Sequence, residues 1–138
     1  MADTIQLEVL TPGGSVFNEA VREVVIPTTA GALGILPHHT PLAAVAQAGI
    51  VDIRHKPEDR TLGHIVITRG LVEVDGERIV LMVDDAAQVK DIDEFNERQR
   101  LAKAEERLKS AQEDREIAAA QADILRSTTW LDASKRHK

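Results

Sequence analysis

Glycine and proline are confined to the first part of this 138-residue chain. All eight glycines and all five prolines lie at or before Gly76. Both residue types mark turns, so the first part is expected to consist of short segments joined by turns. The part without them can form long helices. This distribution predicts a strand-rich domain over residues 1–90 and a helical domain over residues 91–138.

Short β-type segments recur through the first part. Residues 4–10 alternate, with Ile5, Leu7 and Val9 on one face of a strand. Further strands are predicted over residues 20–26, 42–47, 50–54, 64–68, 71–74 and 78–83. The Asp75-Gly76 pair between the last two predicts a type I′ hairpin turn. Many short strands without a helical period between them favour an antiparallel β-sandwich or flattened barrel.

The segment from Val24 to Leu42 contains an unusual loop. Three β-branched residues favour a buried strand, which Pro27 can only end because it has no amide donor. Gly31 and Gly34 then mark positions where the backbone needs a positive φ or a close approach. A short strand follows, and two prolines bound a pair of histidines beyond it. We expect a rigid apolar loop at the edge of the domain.

After Lys90 the apolar residues follow a helical period. Asp91 followed by Glu94 predicts a capping box at the start of a first helix, and polar residues 112–116 predict a break before a second. The residues expected to be buried are Phe95, Leu101, Ala104, Leu108 and Ala111 in the first helix and Ile117, Ala120, Ile124, Leu125 and Leu131 in the second, with Ala118, Ala119 and Ala122 allowing close approach. An antiparallel helical hairpin is the simplest arrangement, giving an α+β protein.

Composition argues against several functional classes. The chain has no cysteine, which removes disulfides and thiolate chemistry. A formal net charge of −6 and only 2% aromatic residues argue against nucleic-acid binding. The longest nearly apolar stretch, residues 41–51, is well short of the roughly 20 residues of a membrane span, so no direct membrane insertion is expected. The first residues lack a secretory or transit pattern.

Catalytic and metal sites are not predicted either. The adjacent histidines His38 and His39 point in different directions, and no acidic ligand string accompanies them or the separate His55 and His64. No combination of a nucleophile, a base and an orienting group is evident.

Three sequence blocks carry a resemblance to a known family. The string Gly31-Ala32-Leu33-Gly34-Ile35-Leu36-Pro37-His38-His39-Thr40-Pro41-Leu42 is similar to the family pattern G-x-L-G-I-x-P-x-H-x-P-L. A second block has Gly70 where relatives carry two glycines, with Arg69 in the other place. The run Asp91-Ile92-Asp93 matches the start of the family's C-terminal hairpin. The chain therefore resembles the epsilon subunit of bacterial rotary F-type ATP synthases, the counterpart of the mitochondrial delta subunit.

The resemblance implies a non-catalytic rotor subunit without a cofactor. Its β domain would bind the gamma subunit and the c-ring at the foot of the central stalk, peripheral to the cytoplasmic face of the bacterial plasma membrane. There it would couple the catalytic head to the ring during proton-driven ATP synthesis. The implied interface residues are Gly31, Ala32, Leu33, Gly34, Ile35, Leu36, Pro37 and His39, with Leu33, Ile35 and Leu36 as apolar anchors. Ala32 stands where some relatives carry an acid, so a charge-dependent contact is not carried over.

The resemblance also implies that the hairpin inhibits ATP hydrolysis by extending into the alpha/beta catalytic head. Four basic residues near the C-terminus, Arg126, Lys135, Arg136 and Lys138, fit an attraction to acidic loops of the beta subunits. Salt is expected to weaken that attraction.

Some relatives bind ATP between the two helices through an I-D-x-x-R-A string and arginines of the second helix. Asp93 and Arg126 match two of these positions. Asn96 replaces the arginine of the string, and Glu97 adds a negative charge beside any phosphate. Weak or absent ATP binding is therefore predicted.

Two other functions remain open from the sequence. A free-standing nucleotide sensor with the same fold would not copurify with a gamma-like partner. A small β-sandwich enzyme with a helical tail would need a cleft that holds perturbed ionisable groups.

Overall fold

The computed structural model describes residues 3–60 and 62–137. The chain divides after Gln88 into two compact units, a strand unit and a helix unit. The predicted α+β class is confirmed. Lys138, one of the four basic residues near the C-terminus, lies outside the described residues.

Within its described residues, the strand unit forms ten strands in one sheet. They are β1 (Ile5–Thr11), β2 (Gly14–Val21), β3 (Glu23–Thr28), β4 (Gly31–Ile35), β5 (Leu42–Ala46), β6 (Gly49–Arg54), β7 (Gly63–Ile67), β8 (Gly70–Val74), β9 (Arg78–Val83) and β10 (Ala86–Gln88). Their order is β10-β7-β6-β3-β5-β8-β9-β1-β2, and β4 pairs with β3 outside this path. β3 and β5 pair at Thr28 and Ala46, where the sheet folds into two layers around one core.

The inner faces of the strands form this core. Ile5, Leu7 and Val9 of β1 are each at most 1% exposed, as their alternation predicted. All strand pairs between described residues are antiparallel except β1 with β9, which is parallel. The chain begins with β1, which lies between β9 and β2. The predicted antiparallel β-sandwich is therefore confirmed, with β1 and β9 as its one parallel pair among the described residues.

Three local predictions in the strand unit need correction. The single strand predicted over residues 20–26 is the end of β2 and most of β3, separated at Arg22. β2 was missed because most of its side chains are exposed at the edge of the sheet. The turn at Asp75-Gly76 is not type I′, which needs a positive φ at both central residues, since only Gly76 has one. Instead, the Asp75 side chain accepts hydrogen bonds from the backbone amides of Glu77 and Arg78.

The helix unit contains two antiparallel helices, α1 (Glu94–Ser110) and α2 (Asp114–His137), after a 3₁₀ turn at Val89–Asp91. Asp93, rather than the predicted Asp91, caps α1, because its carboxylate accepts a hydrogen bond from the Asn96 amide at 3.1 Å. The break between the helices covers residues 111–113 and so overlaps the predicted polar segment 112–116, whose last three residues belong to α2. No described helix combines the length and the apolar composition that a membrane crossing requires.

Most of the helix residues that were expected to be buried are at least partly buried, with two exceptions. Ala104 and Ala120 are fully buried, and Leu101, Leu108, Ala111, Ile117, Ile124 and Leu131 are partly buried. Phe95 and Leu125 are 67% and 55% exposed, so their predicted burial is wrong. Ala118, Ala119 and Ala122 are also exposed, because they lie on faces of α2 that turn away from the helical seam.

Candidate functional site

A tight turn joins β3 to β4 within the segment from Val24 to Leu42. The hydroxyl of Thr28 donates a hydrogen bond to the carbonyl of Gly31 at 2.6 Å and accepts one from the amide of Ala30 at 3.2 Å. Gly31 has a φ of +112°, which explains the glycine as predicted. Gly34 has no positive φ, and a Cβ added there would meet no atom within 4 Å, so the same reasoning is wrong at Gly34.

The solvent exposure of the implied interface residues varies along β4 and the corner after it. Ala32, Gly34 and Leu36 are exposed, and Leu33 is partly buried. Ile35, implied as an apolar anchor, is instead fully buried in the core opposite Val24. It therefore supports this surface from beneath rather than forming it.

The corner after β4 is held by backbone and histidine contacts. Pro37 and His39 are partly buried, and the Nδ1 atom of His39 donates a hydrogen bond to the carbonyl of Thr40 at 2.8 Å. His38 has a φ of 65°, an uncommon conformation for a residue with a side chain. Its amide donates to the carbonyl of Gly76 at 3.0 Å, which ties the corner to the turn between β8 and β9. Nothing in the sequence indicated this connection.

An apolar row on the outer face of the sheet was missed by the sequence reasoning. Val45, Leu71 and Met82 lie side by side on the adjacent strands β5, β8 and β9. They are 42%, 51% and 37% exposed. Leu10 of β1 pairs with Met82 and extends this apolar row onto a fourth strand. The clue in the sequence is that these strands carry apolar residues on both faces, but only the register brings them together.

A shallow cavity of about 410 Å³ lies at the start of β5 and beside β8 and β9. Pro41, Ala43 and Val80 form part of its lining, and the charged side chains of Glu73 and Arg78 lie at its wall. Ala43, Glu73 and Val80 form the next row of paired residues beside the apolar row. Ala43 and the apolar row thus lie on the same face of the strand unit.

The helix unit places the implied basic residues in different surroundings. Lys135 and Arg136 are exposed, and Arg136 makes an exposed ion pair with Asp132 one turn earlier. Arg126 is only partly exposed, and its guanidinium donates to both carboxylate oxygens of Glu97 on α1 at 3.1 and 3.0 Å. Unlike Lys135 and Arg136, Arg126 is therefore not freely exposed on the surface of the helix unit.

The two residues that match the nucleotide-binding string are both engaged within the helix unit. Asp93 uses its carboxylate to cap α1, and Asn96 donates both its amide and its side-chain nitrogen to that carboxylate. Arg126 pairs with Glu97. A phosphate group would have to displace a carboxylate from Arg126 before it could bind there.

Sequence comparison gives a consistent set of relatives. The family profile described as "ATP synthase, Delta/Epsilon chain, beta-sandwich domain" matches residues 4–89. The ATP synthase epsilon chain of Polaromonas naphthalenivorans (strain CJ2) is 34% identical over 136 residues, which cover 99% of this chain and 97% of the relative. The chloroplastic ATP synthase epsilon chain of Spinacia oleracea is 34% identical over 131 residues, covering 95% and 96%.

Solved structures share the fold at lower identity. A chain in the cryo-EM structure of the Euglena gracilis mitochondrial ATP synthase (OSCP/F1/c-ring) has a TM-score of 0.62 and 19% identity, covering 96% of this chain and 78% of its own length. A chain in the Tetrahymena thermophila mitochondrial ATP synthase central stalk/c-ring structure has a TM-score of 0.58 and 16% identity, covering 94% and 96%.

Proposed function

Because this chain belongs to the ATP synthase epsilon family, we propose that it is a central-stalk subunit of an F-type ATP synthase. It couples the catalytic head to the c-ring during proton-driven ATP synthesis and has no catalytic role of its own. The proposed location is peripheral, on the cytoplasmic face of the bacterial plasma membrane. Relatives aligned over nearly the full length of both chains support the assignment of the whole chain, including its helices.

The apolar row is the observation that carries this proposal. Three large apolar side chains stand side by side on a rigid sheet and remain between 37% and 51% exposed. A contiguous exposed apolar surface on a folded domain is typical of a partner interface. We assign the apolar row to the gamma subunit, and the Gly31 turn with Leu33 and Leu36 to the c-ring. The strand unit then transmits torque because its core and paired strands resist deformation.

Substitution of Leu71 by glutamate is expected to weaken binding of the chain to the gamma subunit. Leu71 is the central residue of the apolar row. A glutamate there would bury an unpaired carboxylate in the proposed interface with the gamma subunit. We expect affinity for the purified gamma subunit to fall at least about tenfold, which corresponds to roughly 1.4 kcal/mol. Co-purification and surface-based affinity measurement with the full chain would test this.

Two control variants make that experiment specific. Ala20→Glu introduces the same charge at an exposed position of β2 and is expected to bind gamma normally. Leu36→Glu is expected to retain gamma but weaken contact with the c-ring. Unchanged gamma binding by Leu71→Glu would contradict the assignment of the apolar row. Failure of the unmodified chain to bind gamma at all would favour the free-standing nucleotide sensor.

The helix unit is proposed to inhibit ATP hydrolysis by entering the catalytic head in an extended form. Lys135 and Arg136 are exposed on the last turn of α2, where positive charge is available to acidic loops of the beta subunits. A partner shifts the equilibrium between the closed and extended forms only by its difference in affinity for the two. The inhibition is therefore expected to weaken as salt screens this attraction.

Nucleotide binding by the helix unit is expected to be weak or absent. Glu97 neutralises Arg126 and repels phosphate, while Asn96 supplies no positive charge. Calorimetric titration of the full chain with ATP is expected to show no sub-millimolar affinity. The double variant Asn96→Arg/Glu97→Ala introduces the string of ATP-binding relatives and is expected to bind ATP more tightly than the unmodified chain. Sub-millimolar binding by the unmodified chain would contradict the expectation of weak or absent binding.

A further inference from the structure

The pair of Glu97 and Arg126 is unusually enclosed for an ion pair between two helices. Their side chains are only 9% and 15% exposed, and both carboxylate oxygens receive hydrogen bonds from the guanidinium. Trp130 lies one turn after Arg126 on α2, and the centroid of its ring is 4.6 Å from the guanidinium carbon. Trp130 is 1% exposed. The guanidinium is therefore held by a carboxylate and by an aromatic ring at the same time.

The contact between the two helices near this pair includes buried polar groups beside the apolar side chains of Trp130 and Ala133. Ser127 and Ser134 of α2 are both 1% exposed, and the Ser134 hydroxyl donates to the Glu94 carboxylate at 2.6 Å. The partly buried leucines and isoleucines of the two helices lie mainly toward the other end of the hairpin. Polar contacts therefore contribute to closure at the end that contains the start of α1, together with the packing of Trp130 and Ala133.

A second ion pair between the helices provides a comparison. Arg107 and Asp123 are 2.9 Å apart near the loop, but their side chains are 52% and 42% exposed. Water competes for such exposed charges, so this pair adds little to the closure of the helices. A buried ion pair behaves differently. When one partner is lost, the remaining charge is neither hydrated nor paired with an opposite charge.

We propose that Glu97, Arg126 and Trp130 form a latch that sets the equilibrium between the closed and open hairpin. Separation of the helices must return both charges to water together, so the latch opens in a single step. Its regulatory consequence rests on the proposed inhibition of hydrolysis. Its effect on closure is a property of the chain alone and is measurable without other subunits. The latch also supplies Arg126 with an internal carboxylate, so that the hairpin closes without a bound nucleotide.

The chain contains a built-in reporter for the latch. Trp130 is its only tryptophan, and there is no tyrosine. The variant Glu97→Gln removes the charge while Arg126, whose guanidinium lies over the Trp130 ring, stays unchanged. A change in fluorescence then reports on opening of the hairpin. We expect a red-shifted emission, several-fold stronger acrylamide quenching and an open population raised by about 100-fold. Faster amide exchange along α1 would accompany these changes.

Two further variants separate the latch from general damage to the protein. Arg107→Gln removes the exposed pair and is expected to leave quenching unchanged. Glu97→Met/Arg126→Met replaces both charges with flexible apolar side chains and is expected to restore low quenching. Unchanged quenching in Glu97→Gln would overturn the proposal. If Glu97→Gln unfolds, the double variant decides: restored folding supports the latch, and continued unfolding overturns it. A working latch in a chain that does not affect hydrolysis would instead contradict the proposed function.

Discussion

Replacement of Gly70 by alanine is expected to destabilise the strand unit by more than about 3 kcal/mol. A Cβ at this position would lie 1.9 Å from the carbonyl oxygen of Met82 and 2.8 Å from the Cα of Val83. Both atoms belong to the backbone of β9, so no side-chain rotation relieves the contact. The paired strands β8 and β9 would have to separate at this point. A domain of this kind has a net stability of only about 5–15 kcal/mol, so much of it would be lost.

Urea denaturation of the full chain, followed by far-UV circular dichroism, measures this loss as a lower midpoint. Gly34→Ala is the matched control, because its Cβ meets no atom within 4 Å and its backbone conformation suits any residue. We expect the control to change stability by less than about 0.5 kcal/mol. Equal midpoints for the two alanine variants would show that β9 adapts, contrary to this prediction.

The contrast between Gly31 and Gly70 shows what the sequence can and cannot predict. Both glycines lie in blocks that the resemblance identified. Only Gly31, which closes a local turn, was explained by reasoning from its neighbours. The requirement at Gly70 comes from a strand that is adjacent in space, and the clash depends on the pairing of Gly70 with Val83. Alternation predicted which residues of β1 are buried because that pattern is local to one strand.

The β4 segment and the apolar row differ in the same way in how far the sequence predicts them. The β4 segment was identifiable from its sequence, whereas the apolar row required the register of β5, β8 and β9. On the helices, Asp91 and Asp93 are both suitable caps two residues apart, so composition alone did not decide where α1 begins. The position of Arg126 depended on a partner 29 residues away. Long-range pairing, rather than local propensity, accounts for most of the differences.

A covalent cross-link that holds α1 and α2 together is expected to relieve the inhibition of ATP hydrolysis. The chain has no cysteine, so the exposed pair Arg107→Cys/Asp123→Cys accepts a short cleavable cross-linker between α1 and α2 without other reaction. A linked hairpin cannot adopt an extended form, which removes the state proposed to enter the catalytic head. We expect several-fold faster hydrolysis by the reconstituted complex, similar to that of a complex whose chain lacks residues 91–138.

Cleavage of the linker is expected to return hydrolysis to its original rate, because the closed and extended forms then exchange again. A linker between Lys103→Cys and Arg107→Cys is the matched control, since both positions lie one turn apart on α1 and their connection leaves α2 free to move. That complex is expected to remain inhibited. Slow hydrolysis by the complex with α1 linked to α2 would mean that the closed hairpin inhibits, and it would exclude extension as the cause. If hydrolysis is fast only in the complex with α1 linked to α2, separation of the two helices is the inhibitory step.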